Sequence, residues 1–423
     1  MSIAALPAAA GAGATAAAPR VERRALPYPY RALLAICSDL DETPDAALYV
    51  ETARYLNTTG PTAFGPGCGL EVGNTIYFAM PPGQFAYWTT DDAGRAAVRA
   101  LIRSGHVDCL HSFGDLAVTR ADAARALDEL ARHGCRLEVW IDHAVAITNL
   151  GADIMRGEGD VPGAAAYHAD LSVAAGIRYV WRGRVTSVTG QGVTRRLGGI
   201  FDAGHPLAST RTLMKEGAKG VLPRLGQRRY AFHATNDVVA AATLRDGQPV
   251  VEFMRANPHW GGVSCCETAT GFGEVATAGF LARLVARGGT CVLYTHLGKV
   301  RDVRAPFTPE GRAGLARLAE AQHAGDVLVT TTRRLLGYTS AGHTLAWTAR
   351  AEGATVTIDV HRPRGPLVPA PADLDGLTFY VDAPDRTRLL VDGVEPPRVL
   401  RHPADHTGRP GIGLPWPRLE FPL

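Results

Sequence analysis

Ala32-Leu33-Leu34-Ala35-Ile36-Cys37-Ser38-Asp39-Leu40-Asp41 is an apolar run from Ala32 to Cys37 that passes directly into two acids. A run this short, apolar at every position, reads as a strand covered on both faces, as parallel strands are. The same arrangement recurs three times. Val107 to Leu110 leads into His111-Ser112-Phe113-Gly114-Asp115, Arg136 to Val139 into Trp140-Ile141-Asp142-His143, and Thr290 to Leu293 into Tyr294-Thr295-His296. Side chains at the carboxyl ends of parallel strands gather on one face of an α/β sheet or barrel, where ligands bind. Carboxylates and imidazoles at four such ends predict a polar cluster at the mouth of an apolar sheet, the pattern of a metal-assisted hydrolase site.

Helical signals lie between these runs. Asp91 to Arg103 precedes the stop Ser104-Gly105, and Thr119 to His133 opens with an N-cap and Asp122 and is closed by Gly134. Glu274 to Arg287 ends at Gly288-Gly289, and Thr308-Pro309-Glu310 opens a helix that Gly325 closes. A strand from Asp326 to Val329 and a short helix around Thr332 to Leu336 follow. With Ile177 to Trp181 and Val250 to Met254, the alternation predicts parallel strands joined by helical crossovers. Asn57 to Thr90 and Arg184 to Asp246 break the rhythm and read as long loops, either over the mouth of the sheet or packed against it.

After Tyr338 the texture becomes short, alternating and β-rich, punctuated by turns such as Asp375-Gly376 and Asp392-Gly393. The fold expected is a distorted (β/α) barrel of about seven parallel strands over residues 31–340, followed by a small antiparallel β-sandwich-like domain over 341–423. Residues 1–30, rich in Ala and Gly, are expected to be a disordered leader; without a basic n-region they do not read as a secretory signal.

Composition excludes some partners. A formal net charge of +3 over 423 residues argues against nucleic acid and acidic membranes. No run of about 18 apolar residues predicts a membrane span. Seven cysteines without a CxxC, three of them inside apolar runs, suit a reducing compartment, and a cytoplasmic location is expected. A homo-oligomer stays open.

Asp39 and Asp41, two apart on a strand end, lie on one side of it. One can bind a metal while its neighbour handles a proton. His111 and Asp115 are spaced to share a face on a helical turn and chelate one ion, and His296 suits a general acid. Each residue also has a plainer reading: Asp39 as a helix cap, His111 as a core histidine, and His143 or Asp115 as structural. His168 reads as a surface or packing residue. Trp140, Arg182, Trp260 and Glu267 are candidate substrate contacts. Trp260, among glycines in Asn257-Pro258-His259-Trp260-Gly261-Gly262, suits stacking on a sugar ring, and Arg182 with Arg184 suits an anionic group.

The order of these segments resembles the polysaccharide deacetylase superfamily (NodB-homology, carbohydrate esterase 4) over roughly residues 31–338. Ser38-Asp39-Leu40-Asp41 is similar to the family's first motif, whose first acid is the base and whose second binds the metal. His111-Ser112-Phe113-Gly114-Asp115 resembles H-S/T-x-x-H, with Asp at the last place. Leu293-Tyr294-Thr295-His296 looks like the leucine-x-histidine motif with one residue added. The family's third motif, an arginine and a proline beside the base, has no visible counterpart, and Trp140-Ile141-Asp142-His143 stands in its place.

The resemblance implies a divalent metal, zinc above all, held by Asp41, His111 and either Asp115 or His143, with Asp39 as base and His296 as acid. It implies removal of an N-acetyl or related acyl group from an amino sugar or small glycoconjugate. A small cytoplasmic carbohydrate in sugar or natural-product (antibiotic) biosynthesis is expected rather than a cell-wall polymer. Two alternatives stay open: a glycoside hydrolase pairing Asp39 or Asp41 with Glu267, and a non-catalytic carbohydrate-binding protein.

Overall fold

Ala32–Ser38 is buried at every residue because it lies in the middle of a parallel sheet. The structure, a computed structural model, describes residues 20–363, 365 and 367–423. Eleven strands form one large curled sheet, a half-barrel. In chain order they are β1 (Ala32–Ser38), β2 (Gly73–Ile76), β3 (Val107–His111), β4 (Val139–Ile141), β5 (Tyr179–Trp181), β6 (Val185–Thr186), β7 (Val239–Thr243), β8 (Pro249–Phe253), β9 (Arg255–Ala256), β10 (Thr290–Thr295) and β11 (Val327–Thr330). Their spatial order is β7-β8-β5-β4-β3-β2-β1-β10-β9-β6, with β11 also against β1. Every pairing is parallel except β7 with β8. β8 and β9 are separated only by Met254, yet β8 pairs with β5 and β9 with β10.

Several helices start and stop where side-chain chemistry dictates. Thr119 and Asp122 form a reciprocal capping box at Arg120–Arg132. Thr308 caps Pro309–His323, with proline in the first turn. The Glu274–Arg287 reading needs correction: Phe272–Val275 is one turn, and Thr277 caps a separate helix, Ala278–Arg287. The last helix runs to Thr344, past the expected domain boundary. The strand read at Arg136 to Val139 lies three residues later, so Trp140 is inside β4. Both long interruptions contain regular structure. β2 falls in the first, and the helix Pro206–Val221 in the second, with Ser209, Thr212 and Glu216 buried instead of an apolar stripe.

The β-rich tail forms two small sheets. Ala346–Glu352, Thr355–His361 and Thr387–Val391 make one, in which the last pairing is parallel rather than antiparallel. Thr378–Val381, Gly411–Gly413 and Leu400–His402 make the other, and Val21–Arg23 is one of its two edge strands. Ile358, Val360, Leu377, Phe379, Leu389 and Ile412 form the core they share. This corrects the leader for residues 20–30, while 1–19 lie outside the described residues. Arg24 is buried, bonding Tyr380 and Asp405 at 3.0 Å each through Nε and four backbone carbonyls from Leu26 to Tyr30 through its other nitrogens. The tail is also not separate from the large sheet. Asp373 pairs with Arg178 and Arg333, and Arg418 and Leu419 bond Gly69 and Glu71. Among the described residues, no helix is long and apolar enough to cross a membrane.

Candidate functional site

Four strand ends deliver the site. Asp39 and Asp41 follow β1, His111 ends β3, His143 lies two residues past β4, and His296 one past β10. Asp39 N–H donates to Thr295 O at 2.8 Å and Leu297 N–H to Ser38 Oγ at 3.0 Å, so the ladder between β1 and β10 extends to the rim. Asp41 is the hub. Its Oδ1 lies 2.6 Å from His143 Nε2, and its Oδ2 lies 3.1 Å from His111 Nε2 and 3.4 Å from His296 Nε2. Burial alone would raise Asp41, but the charge and hydrogen bond of His111, with hydrogen bonds from His143 and His296, hold it well below the usual carboxylate range.

The histidines are oriented from behind. His111 Nδ1 lies 3.3 Å from Ile141 O, and His143 Nδ1 lies 2.8 Å from Asp115 Oδ1. Burial opposes charge on His143, yet Asp41 and Asp115 together raise it to about 9. Asp115 therefore corrects one expectation: it stands behind His143, and it is His143 that shares a donor set with Asp41 and His111. Tyr77, wholly buried, stacks on His111 at 5.8 Å.

Asp39 faces a different partner. Arg255 Nη1 donates to both of its oxygens at 2.8 Å, and the guanidinium lies 3.5 Å from the Trp181 ring centre and 4.4 Å from that of Tyr294. His111 Nε2 is 3.9 Å from Asp39 Oδ2. Arg255 was not singled out in the sequence. The available signal was a charged residue one place beyond the apolar run Val250 to Met254, followed by Asn257-Pro258.

No family model, curated protein or solved structure matches this chain.

The remaining candidates distribute differently. Trp140 is wholly buried and donates from Nε1 to Asp142 Oδ1 at 2.7 Å, which corrects its reading as a substrate contact. Asp142 itself is wholly buried and is pushed up to about 7 by that burial, against its bonds from Trp140 and Leu150. Arg182 pairs with Glu252 at 2.7 Å, and Arg184 with Asp153 at 2.8 Å. Trp260 stacks on His205 at 3.6 Å and lines a cavity of about 280 Å³ that none of the Asp41 cluster lines. Glu267 is half-buried; its carbonyl accepts from His296 N–H at 2.8 Å. His168 is a buried packing residue, bonded to Ser172 and Thr148.

The backbone turns sharply just after three of the donors. Glu42, Ser112 and Ala144 have φ of +58°, +46° and +35°, directly behind Asp41, His111 and His143. Left-handed non-glycine residues cost about 1–3 kcal/mol each and cluster where function over-determines the chain.

Proposed function

We propose that this protein is a metal-dependent amide hydrolase of the polysaccharide deacetylase kind, acting on an N-acylated amino sugar or small glycoconjugate. The observation that carries the reading is Asp41 held against three imidazoles from three other strand ends, at 2.6, 3.1 and 3.4 Å. Backed at Nδ1 by Ile141 O and Asp115, the Nε2 atoms of His111 and His143 both turn toward one carboxylate, where a cation can take the place of their protons. That arrangement asks for a cation between them. Asp41, His111 and His143 offer one carboxylate and two imidazole nitrogens within 4.8 Å of one another, a set suited to zinc.

When bound, a divalent ion there would polarise the acyl carbonyl. Asp39 is the base that takes the proton from water at a carboxylate oxygen, with Arg255 fixing the orientation of that carboxylate. His296 gives its Nε2 proton to the departing amine, and Tyr294 OH, 3.5 Å from that nitrogen, steadies the ring. Arg255 then fills the place of the arginine that the family resemblance sets beside the base. Taken as a single bent stave joining β5 to β10, the eight residues Pro249–Ala256 would close the half-barrel into seven staves. The substrate is small and soluble on the reading that the long interruptions 57–90 and 184–246 narrow a groove into a pocket.

Purified protein, with and without added zinc, is to be assayed against monomeric acetamido sugars, nucleotide sugars and chitin oligomers. Release of acetate from the small substrates, lost with bound metal in Asp41→Asn, supports the reading. Full turnover in Asp41→Asn, or activity on chitin oligomers alone, overturns it.

A further inference from the structure

Beyond strand β9 the chain makes a loop, 257–271, that holds a second cluster with no part in the chemistry above. His259, Cys265 and Cys266 bring ligand-type atoms within 4.8 Å of one another. The two sulfurs are 3.2 Å apart and form no disulfide. In an extended chain, adjacent side chains point to opposite sides. Here Cys266 takes a left-handed φ of +63°, rare for a residue with a Cβ, and both thiols come to one side.

Two glycines let the loop close. A Cβ on Gly261 would lie 2.9 Å from Cys265 Sγ and 3.0 Å from His259 Nδ1, and one on Gly271 would lie 2.6 Å from Cys266 Cα. His259 is buried to 2% exposure; its Nδ1 accepts from Gly261 N–H at 2.9 Å, and its Nε2, which carries the proton in the neutral ring and must release it to bind a metal, has no hydrogen-bond partner among the described residues. The nearest charge to that nitrogen is Glu274 Oε2 at 3.4 Å. A buried imidazole nitrogen without a hydrogen bond is costly to leave as it is.

We propose that His259, Cys265 and Cys266, with Glu274 as the fourth donor, form a second metal site for zinc or a similar thiophilic divalent cation. One nitrogen, two sulfurs and one carboxylate oxygen is a donor set that such an ion accepts, while magnesium and calcium do not. Each thiol releases its proton to solvent as it binds, so occupancy rises with pH.

The ion has a structural task. The same loop carries Glu267, whose carbonyl receives His296 N–H, and Thr268, which bridges to His296. Fixing Cys265 and Cys266 therefore fixes the backbone that seats His296. This last step rests on the hydrolase reading of the Asp41 cluster; the metal site itself does not.

The test uses the full chain, stripped of metal and titrated with zinc alone, with iodoacetamide alkylation followed by peptide mapping. Zinc should slow labelling of Cys265 and Cys266 by about tenfold or more, because a bound thiolate is no longer a free nucleophile, while half-buried Cys68 keeps its rate. Protection should persist in His111→Ala/His143→Ala, where the Asp41 cluster is dismantled, and should weaken in His259→Gln. Cobalt in place of zinc should give a thiolate-to-metal charge-transfer band that Cys265→Ser/Cys266→Ser abolishes. Unchanged labelling of the wild-type pair in excess zinc overturns the proposal, even if the serine variant does not fold. Absence of turnover with protection intact rejects the hydrolase reading and leaves this site standing.

Discussion

The two ends of the central strands both carry buried charge and, apart from Asp39 with Arg255, pair it in different ways. At the amino-terminal ends of β2 and β4, carboxylates meet guanidinium groups: Glu71 with Arg334 at 2.6 Å, and Glu138 with Arg333 at 2.8 Å. Arg333 reaches Asp373 as well, at 2.6 Å. At the carboxyl ends Asp41 meets imidazoles. An arginine keeps its proton at every working pH, so those pairs are fixed links. An imidazole can exchange its proton for a metal or a substrate, so the opposite rim can change its occupant. One end is built to hold and, on the proposed hydrolase reading, the other to react.

Breaking the reactive rim should have the largest effect. Asp41→Asn should lose the bound metal of that cluster and lower turnover by about a thousandfold, read by elemental analysis beside a deacetylation assay, with the melting curve little changed. The other end should respond in reverse. Arg333→Met leaves Glu138 and Asp373 only the longer contacts to Arg178, at 3.6 and 3.4 Å, and should cost about 3 kcal/mol in urea unfolding, while metal content stays at the wild-type value. If Arg333→Met removed metal and Asp41→Asn unfolded the chain, the contrast would be false.

Two smaller effects sharpen it. Asp115→Asn removes the carboxylate behind His143 and should weaken metal binding by about tenfold, measured by chelator competition, without abolishing it. The smallest effect concerns pH at the holding end. Burial pushes Asp108 from 3.8 up to about 7. An acid raised in the fold binds a proton there that the unfolded chain has already released. Unfolding free energy should therefore fall as pH rises across that window, then level off above it. Asp108→Asn should flatten the fall in urea midpoints over the same range.

The large sheet was legible because β1, β3 and β10 are mostly apolar runs, broken in β3 only by Asp108, that end abruptly in chemistry, so Asp39, Asp41, His111 and His296 were found with the fold. β2 was not legible: Gly73-Asn74-Thr75-Ile76 is four residues with one strong strand former, held by its neighbours rather than by propensity. Trp140 misled because the start of β4 was placed three residues early, which put a core ring on the rim. Arg255 went unseen because a strand that turns from one partner to another looks, in sequence, like a strand that has stopped. The choice between Asp115 and His143 depended on which lies behind the other, and spacing along a chain does not carry depth.

The pairing of Val21–Arg23 with Thr378–Val381, and of Arg24 with Tyr380 and Asp405, sets an order of events in the making of the protein. Arg24 and Tyr380 are 356 residues apart, so the earliest described strand leaves the ribosome on the order of half a minute before its partner exists. The central parallel strands can assemble in that interval. The tail sheet cannot close, and a buried guanidinium waits in water for its carboxylate. Translation that stalls short of residue 378 thus yields a chain with its reactive rim already gathered and its two ends still unfastened.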